Sequence, residues 1–212
     1  MLTPHRQAFV DAAGIAHELA ASPEVAASWK AESACAGMTV GGLTHHLVRQ
    51  AVVMTELLDA APSGKPIPLL EHYENAPWVQ AGHNAAVNVS VRTGSDERAA
   101  VGAEAVLAEA RVSLDRLPTL LGAPRDPDAV DIPWQDWSLT VDDLVTTRLM
   151  ETIVHSDDLA ASVGLPTPEF PEPALTPVLG LLSGVAVRRH GQAAVVRALS
   201  RPQRAPEHVS AF

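Results

Sequence analysis

Apolar residues recur at three- and four-residue spacing along most of the chain, and alternating β-branched segments are few, which is the pattern of an all-α protein. A first helix is expected over about residues 4 to 21, where Phe9, Ala13, Ala16 and Leu19 or Ala20 share a face and Pro23 closes the stretch. The second is clearer: Thr39 can cap it, and Val40, Leu43, Leu47, Met54, Leu57 and Leu58 form one stripe before the Pro62-Ser63-Gly64 break. Residues 62–94 read as a long connection rich in Pro, Gly and Asn, with AAVNVSV as a short strand. Connections of that length often serve as lids, and Tyr73, His83, Asn84 and Asn88 either line a pocket or belong to a surface loop.

A third helix is expected from about 96 to 117, ending before Pro118, and then a Pro- and Asp-rich loop carrying Trp134 and Trp137. With so few aromatic residues, the four tryptophans suggest plugs that hold loops on the ends of a bundle. The fourth helix starts at Thr140, with Asp142 and Asp143 in its first turn, and stops at Gly164. After LPTPEFPEP, a fifth spans roughly 174–200, capped or interrupted by Gly191.

A length of 212 residues suits one domain, 1–212, with enough core to fold without disulfides or other staples. Hydrophobic residues at 47%, charged residues at 19% and a mean hydropathy of +0.08 place it in the globular class rather than the disordered one. A net charge of -10 excludes a phosphate backbone as natural partner, because non-specific nucleic-acid binding needs a basic surface. No apolar run reaches the ~18 residues of a membrane span, and MLTPHRQAFVDAAG lacks the order of a signal peptide, so a cytoplasmic protein without membrane contact is expected. The single cysteine, Cys35, fits a reducing compartment. Nothing in its sequence surroundings supplies a base, so an inert thiol is expected there. Arginine far outnumbers lysine and alanine abounds, which reads as the codon bias of a GC-rich genome.

Chemistry concentrates in GGLTHHLVRQ and ETIVHSDDLA. Two imidazoles and a carboxylate make a first shell for a catalytic divalent metal with an open position, which makes His46, Glu151 and His155 candidates. At 100° per residue from Leu43, the apolar stripe of the second helix centres near about 40°, His45 falls near about 200° and His46 near about -60°. His45 is therefore expected to face water, while His46 flanks the buried face with Gln50 one turn later on the same side. On the fourth helix Arg148, Glu151, His155 and Asp158 form one polar stripe, and Glu151 and His155 are close enough at i, i+4 to share an ion. The spacing alone is weak evidence: with nine histidines and 25 acidic residues, one such pair is expected by chance, roughly. A plain surface hydrogen bond accounts for the pair equally.

The run TVGGLTHHLVRQ resembles the ligand helix of the DinB-like superfamily, in particular the metal-binding N-terminal domain of mycothiol-dependent maleylpyruvate isomerases. RLMETIVHSDDLA resembles the second signature of that family, Arg-x-x-Glu-x-x-x-His-x-x-Asp, and LGLLSGVAVRRHGQAAVVRALSR its last helix. The resemblance implies a DinB-like four-helix bundle, here with an additional short helix or helices and a long irregular connection. It places the metal ligands at His46, Glu151 and His155 and an accompanying acid at Asp158. Zinc is the common ion, although nickel, manganese and iron accept the same donors.

Gln50, Arg148 and Asp158 are the expected supporting residues. Asp158 would orient an imidazole and Arg148 would pair with Glu151 or with polar groups of a thiol cosubstrate, unless the two are simply a salt-bridged stripe. Mycothiol is the implied cosubstrate and agrees with the codon bias; a small-molecule thiol and an electrophile are the expected partners. Bundles of this superfamily often pair, which keeps a homodimer among the expectations. The isomerase it resembles has a C-terminal second domain, whereas this chain stops about a dozen residues after its last expected helix. A thiol-dependent S-transferase or isomerase-like enzyme is therefore the expected function. The alternatives are a non-enzymatic metal-dependent binding or stress-sensing module and a helical interaction protein with vestigial ligands.

Overall fold

The computed structural model describes residues 1–82 and 84–212 and is all-α apart from one small hairpin. Four long helices make the bundle: α1 (Pro4–Ala20), α3 (Val40–Asp59), α7 (Ala103–Gly122) and α8 (Val141–Val163), with the short α2 (Pro23–Ala27) between the first two. Helices α1 and α3 each pack on both α7 and α8, so the bundle interior is walled by the apolar stripes of all four. Phe9, Leu43, Leu47, Met54, Leu117, Leu121, Leu144 and Leu149 are fully buried there.

The two helices that matter most begin where the sequence says they should. Thr39 Oγ1 accepts from Gly42 N–H at 3.0 Å and Thr140 Oγ1 from Asp143 N–H at 3.1 Å, each satisfying an orphan donor of the first turn. Gly164 ends α8 in the left-handed region at φ 70°, a conformation a side chain would resist. Pro23, by contrast, opens a helix instead of only closing one: it sits in the first turn of α2 behind the Ser22 cap.

The connection after α3 departs furthest from expectation. It contains α4 (Leu69–Asn75) and α5 (Pro77–Gln80), and AAVNVSV belongs to α6 (Ala86–Ala99), a helix and not a strand. The alternating Val87, Val89 and Val91 mimic a strand, but all three are exposed; the buried Ser95 and Ala99 set the helical face that packs on α3. The expected third helix is in fact two, α6 and α7, separated at Gly102 with φ 95°. Helix α7 also runs through Pro118, which is exposed; buried Leu117 and Leu121 on either side hold the last turn.

Strands β1 (Val130–Ile132) and β2 (Trp137–Leu139) pair antiparallel within the loop that was expected to be irregular. Helices α9 (Glu172–His190) and α10 (Gln192–Ser200) follow, interrupted at Gly191, and α9 packs on α8 and α1. Three tryptophans act as loop plugs. Trp29 Nε1 donates to the Ala99 carbonyl and Trp137 Nε1 to His72 Nδ1, while the Trp78 ring lies against Tyr73 and Phe212. Trp134 does not, being 58% exposed. Among the described residues no helix is long and apolar enough to cross a membrane.

Candidate metal centre

Helix α3 presents His46 and helix α8 presents Glu151 and His155 to one point between them. His46 Nε2 lies 3.4 Å from Glu151 Oε2, and His155 Nε2 lies 3.3 Å from the same oxygen. The imidazole rings meet edge to face with centroids 4.8 Å apart. Those separations are long for charge-assisted hydrogen bonds, which run about 2.7–2.9 Å. They equal the donor–donor edge of a tetrahedral site: with metal–ligand bonds of about 2.0–2.1 Å, the edge is about 3.3–3.4 Å. Two imidazole nitrogens and a carboxylate oxygen, each nitrogen at this spacing from the oxygen, fit a divalent ion. The side chains remain 22%, 14% and 18% exposed for His46, Glu151 and His155, so the group is partly but not fully enclosed.

The surrounding groups tune the three donors. Burial pushes the Glu151 carboxyl up, but hydrogen bonds from His155 and His46, with the positive fields of His155 and Arg148, outweigh it and hold the group well below the usual carboxylate range. Burial pulls the His46 imidazole down, partly opposed by Glu151. For His155 burial acts in the same sense, yet Asp158 and Glu151 overcome it and raise the imidazole to about 9.

Asp158 Oδ2 lies 2.9 Å from His155 Nδ1, so the carboxylate accepts the Nδ1 proton and turns Nε2 toward Glu151. Gln50 links the helices: its Nε2 donates to the His46 carbonyl at 2.8 Å, and its Oε1 accepts from Arg148 Nη1 at 2.7 Å. Arg148 is thus fixed by Gln50 and by Thr147 Oγ1, and acts on Glu151 through its field rather than through a direct ion pair.

One expectation about a neighbouring residue needs correction. His45 does not face water: it is 6% exposed, with Nδ1 lacking a hydrogen-bond partner among the described residues, and burial together with Arg49 and Arg98 lowers it to about 4. The wheel sees one helix only, and α6 covers the face it assigned to solvent. Cys35 is nearer the chemistry than its sequence suggested. Its sulfur lies within 4.8 Å of donor atoms of His155 and Asp158. Burial and the Asp158 carboxylate push its thiol up, which keeps it protonated, in line with the inert thiol expected. The Cys35 grouping is the poorer ion site, since Asp158 already engages His155 Nδ1.

Of the loop residues, Tyr73 is buried, and its phenol lies within electrostatic reach of Glu151 and Arg148. Asn88 ties the carbonyls of Trp78, Ala81 and Gly82 together, Asn84 is exposed, and His83 lies outside the described residues. His72 was not anticipated by sequence: it is buried, accepts from Trp137, and is lowered to about 4 by burial and by Arg148. A histidine inside a Pro-rich connection carries no periodic signal that would have singled it out.

A family model described as the mycothiol maleylpyruvate isomerase N-terminal domain matches residues 10–160, a span that contains His46, Glu151, His155 and all three supporting residues. Neither the curated proteins nor the solved structures give a match.

Proposed function

The chain belongs to the mycothiol maleylpyruvate isomerase N-terminal domain family, and from that premise we propose that it is a metal-dependent enzyme that activates a small thiol, mycothiol in the first instance, for attack on an electrophile. The reading covers a thiol S-transferase or an isomerase-like activity, with His46, Glu151 and His155 holding a divalent ion, zinc before nickel, manganese or iron. The observation that carries it is the convergence of both imidazole Nε2 atoms on one Glu151 oxygen, at 3.4 and 3.3 Å.

A divalent ion at this place supplies Lewis acidity, drawing the pKa of a bound water or thiol toward neutrality. The protein's own residues do the rest. Asp158 accepts the His155 Nδ1 proton and orients the ring, so that an ion binding at Nε2 would displace the proton that the raised imidazole carries there at neutral pH. Glu151 remains ionised at neutral pH, so its oxygen is a donor without a proton to displace. Gln50 and Thr147 hold Arg148 in place, and its positive charge offsets the carboxylate while α3 and α8 stay in register. Three protein ligands would leave a fourth position for the sulfur of an exogenous thiol, which is what separates a catalytic from a closed structural site. A three-donor set of this kind favours an enzyme over a metal-dependent sensing or binding module. A cytoplasmic location accompanies the reading, because a free thiol persists in a reducing compartment.

Metal content measured by mass spectrometry on protein purified without chelator tests the site against a His155→Ala variant. About one equivalent in the parent and little in the variant is the expected result. Metal in neither, with both folded, would overturn the assignment. Cobalt-substituted protein should then gain a sulfur-to-metal charge-transfer band on adding thiol; a bound ion without that band would point to the non-enzymatic module.

A further inference from the structure

A cavity of about 260 Å³, lined by none of the three candidate ligands, lies between α4, α5 and α9, with the segment around Ala211 along one side. Leu70, Tyr73, Val79 and Val185 give it apolar walls, and none of the supporting residues of the metal centre lines it. Four of its nine lining residues are polar or charged: Glu74, Gln80, Arg188 and Arg189. Arg188 Nε is matched by Glu74 at 3.1 Å, whereas Arg189 meets only the Ala211 carbonyl, at 3.3 Å, and has no carboxylate within salt-bridge distance among the described residues. One guanidinium charge at the cavity is therefore uncompensated, in a chain whose net charge is -10.

Apolar walls with a few convergent polar and charged groups are the usual make-up of a small-molecule site, and the volume lies just under the ~300 Å³ at which drug-sized ligand sites begin. We propose that this cavity binds a compact amphipathic carboxylate, its apolar body against Leu70, Tyr73, Val79 and Val185 and its carboxylate on Arg189. A planar guanidinium engaged by a single neutral carbonyl retains the donors for a two-point contact with a carboxylate. The C-terminal segment completes the enclosure. His190 Nε2 meets the Ser210 carbonyl at 2.8 Å, and the Phe212 ring lies against Trp78 and Tyr73 at 5.2 and 5.7 Å between centroids.

Isothermal titration of the whole chain with 4-phenylbutyrate, and with 4-phenylbutanol as the uncharged counterpart, tests the assignment. The acid should bind at one saturable site, and the alcohol about tenfold more weakly or worse, the size of one charge-assisted hydrogen bond. Arg189→Gln should weaken the acid by a similar factor and leave the alcohol unchanged. Val79→Trp fills the cavity from a short, partly buried helix outside the bundle and should abolish both, with the melting temperature reporting that the fold is intact. No binding of the acid, equal binding of acid and alcohol, or unaltered binding in Val79→Trp would each overturn the proposal. His155→Ala should bind the acid as the parent does, so this site stands or falls separately from the metal centre.

Discussion

His45 and His46 are neighbours in the chain with opposite tasks. His46 reaches Glu151, whereas His45 is buried between α3 and α6 on the far side of the helix. His46→Ala should lose the bound metal while His45→Ala keeps it, as measured by metal content on folded protein. Equal loss in both would sink the ligand assignment. His72 contributes to the pH dependence of stability, as does His45, which is lowered to the same value. The His72 Nδ1 accepts from Trp137, so the folded protein holds the neutral ring, and burial with the Arg148 charge lowers it to about 4 from an ordinary 6.5. A lowered histidine means that the unfolded chain takes up the proton first. Its contribution is therefore complete above 6.5 and is lost as pH falls toward 4. Between pH 7 and pH 5 its share of the loss should be on the order of 1–2 kcal/mol in urea unfolding, and His72→Asn, whose amide oxygen replaces the Nδ1 acceptor, should reduce the slope by that share and leave the part due to His45.

The start of α3 explains its paired glycines at the level of the element. A Cβ on Gly41 would lie 2.6 Å from the Trp29 indole, and one on Gly42 would strike the Asp96 carboxylate and come within 2.9 Å of Met38. Asp96 is the group that holds the helix cap, accepting from Thr39 N–H at 3.0 Å and from Thr39 Oγ1 at 2.6 Å. The glycines therefore let Trp29, in the turn after α2, and Asp96 of α6 close on the first turn of the helix that carries His46. Gly42→Ala should destabilise the protein by about 1–3 kcal/mol in denaturant unfolding, the usual cost of overpacking. A change within error would show that Asp96 can swing aside freely. The boundaries of α3 and α8 were legible because Thr39, Thr140 and Gly164 state them chemically. Those of α6 and α7 were not: alternating valines imitate a strand, and Pro118 imitates a stop that the packing of Leu117 and Leu121 overrides.

At the scale of the whole molecule, the candidate centre ties α3 to α8 across the bundle, so an ion bound there stabilises the folded chain by mass action. Removing metal with a chelator should lower the melting temperature of the parent and leave that of His155→Ala unchanged, as read by calorimetry. A parent indifferent to chelation would show that the bundle is held by its apolar interior alone. The helical class, helices α3 and α8 and their capping residues were readable from the chain, because 3.6-residue periodicity and local capping chemistry act within a few residues, whereas the candidate donors His46, Glu151 and His155 rested on the family resemblance. Only tertiary structure decided the convergence of His46 and Glu151 from positions 105 residues apart, the burial of His45 under α6, the approach of Cys35 and the cavity beside Arg189. Each of these depends on which helix faces which, and that choice is made by packing between distant segments, for which the local sequence carries no periodic signature.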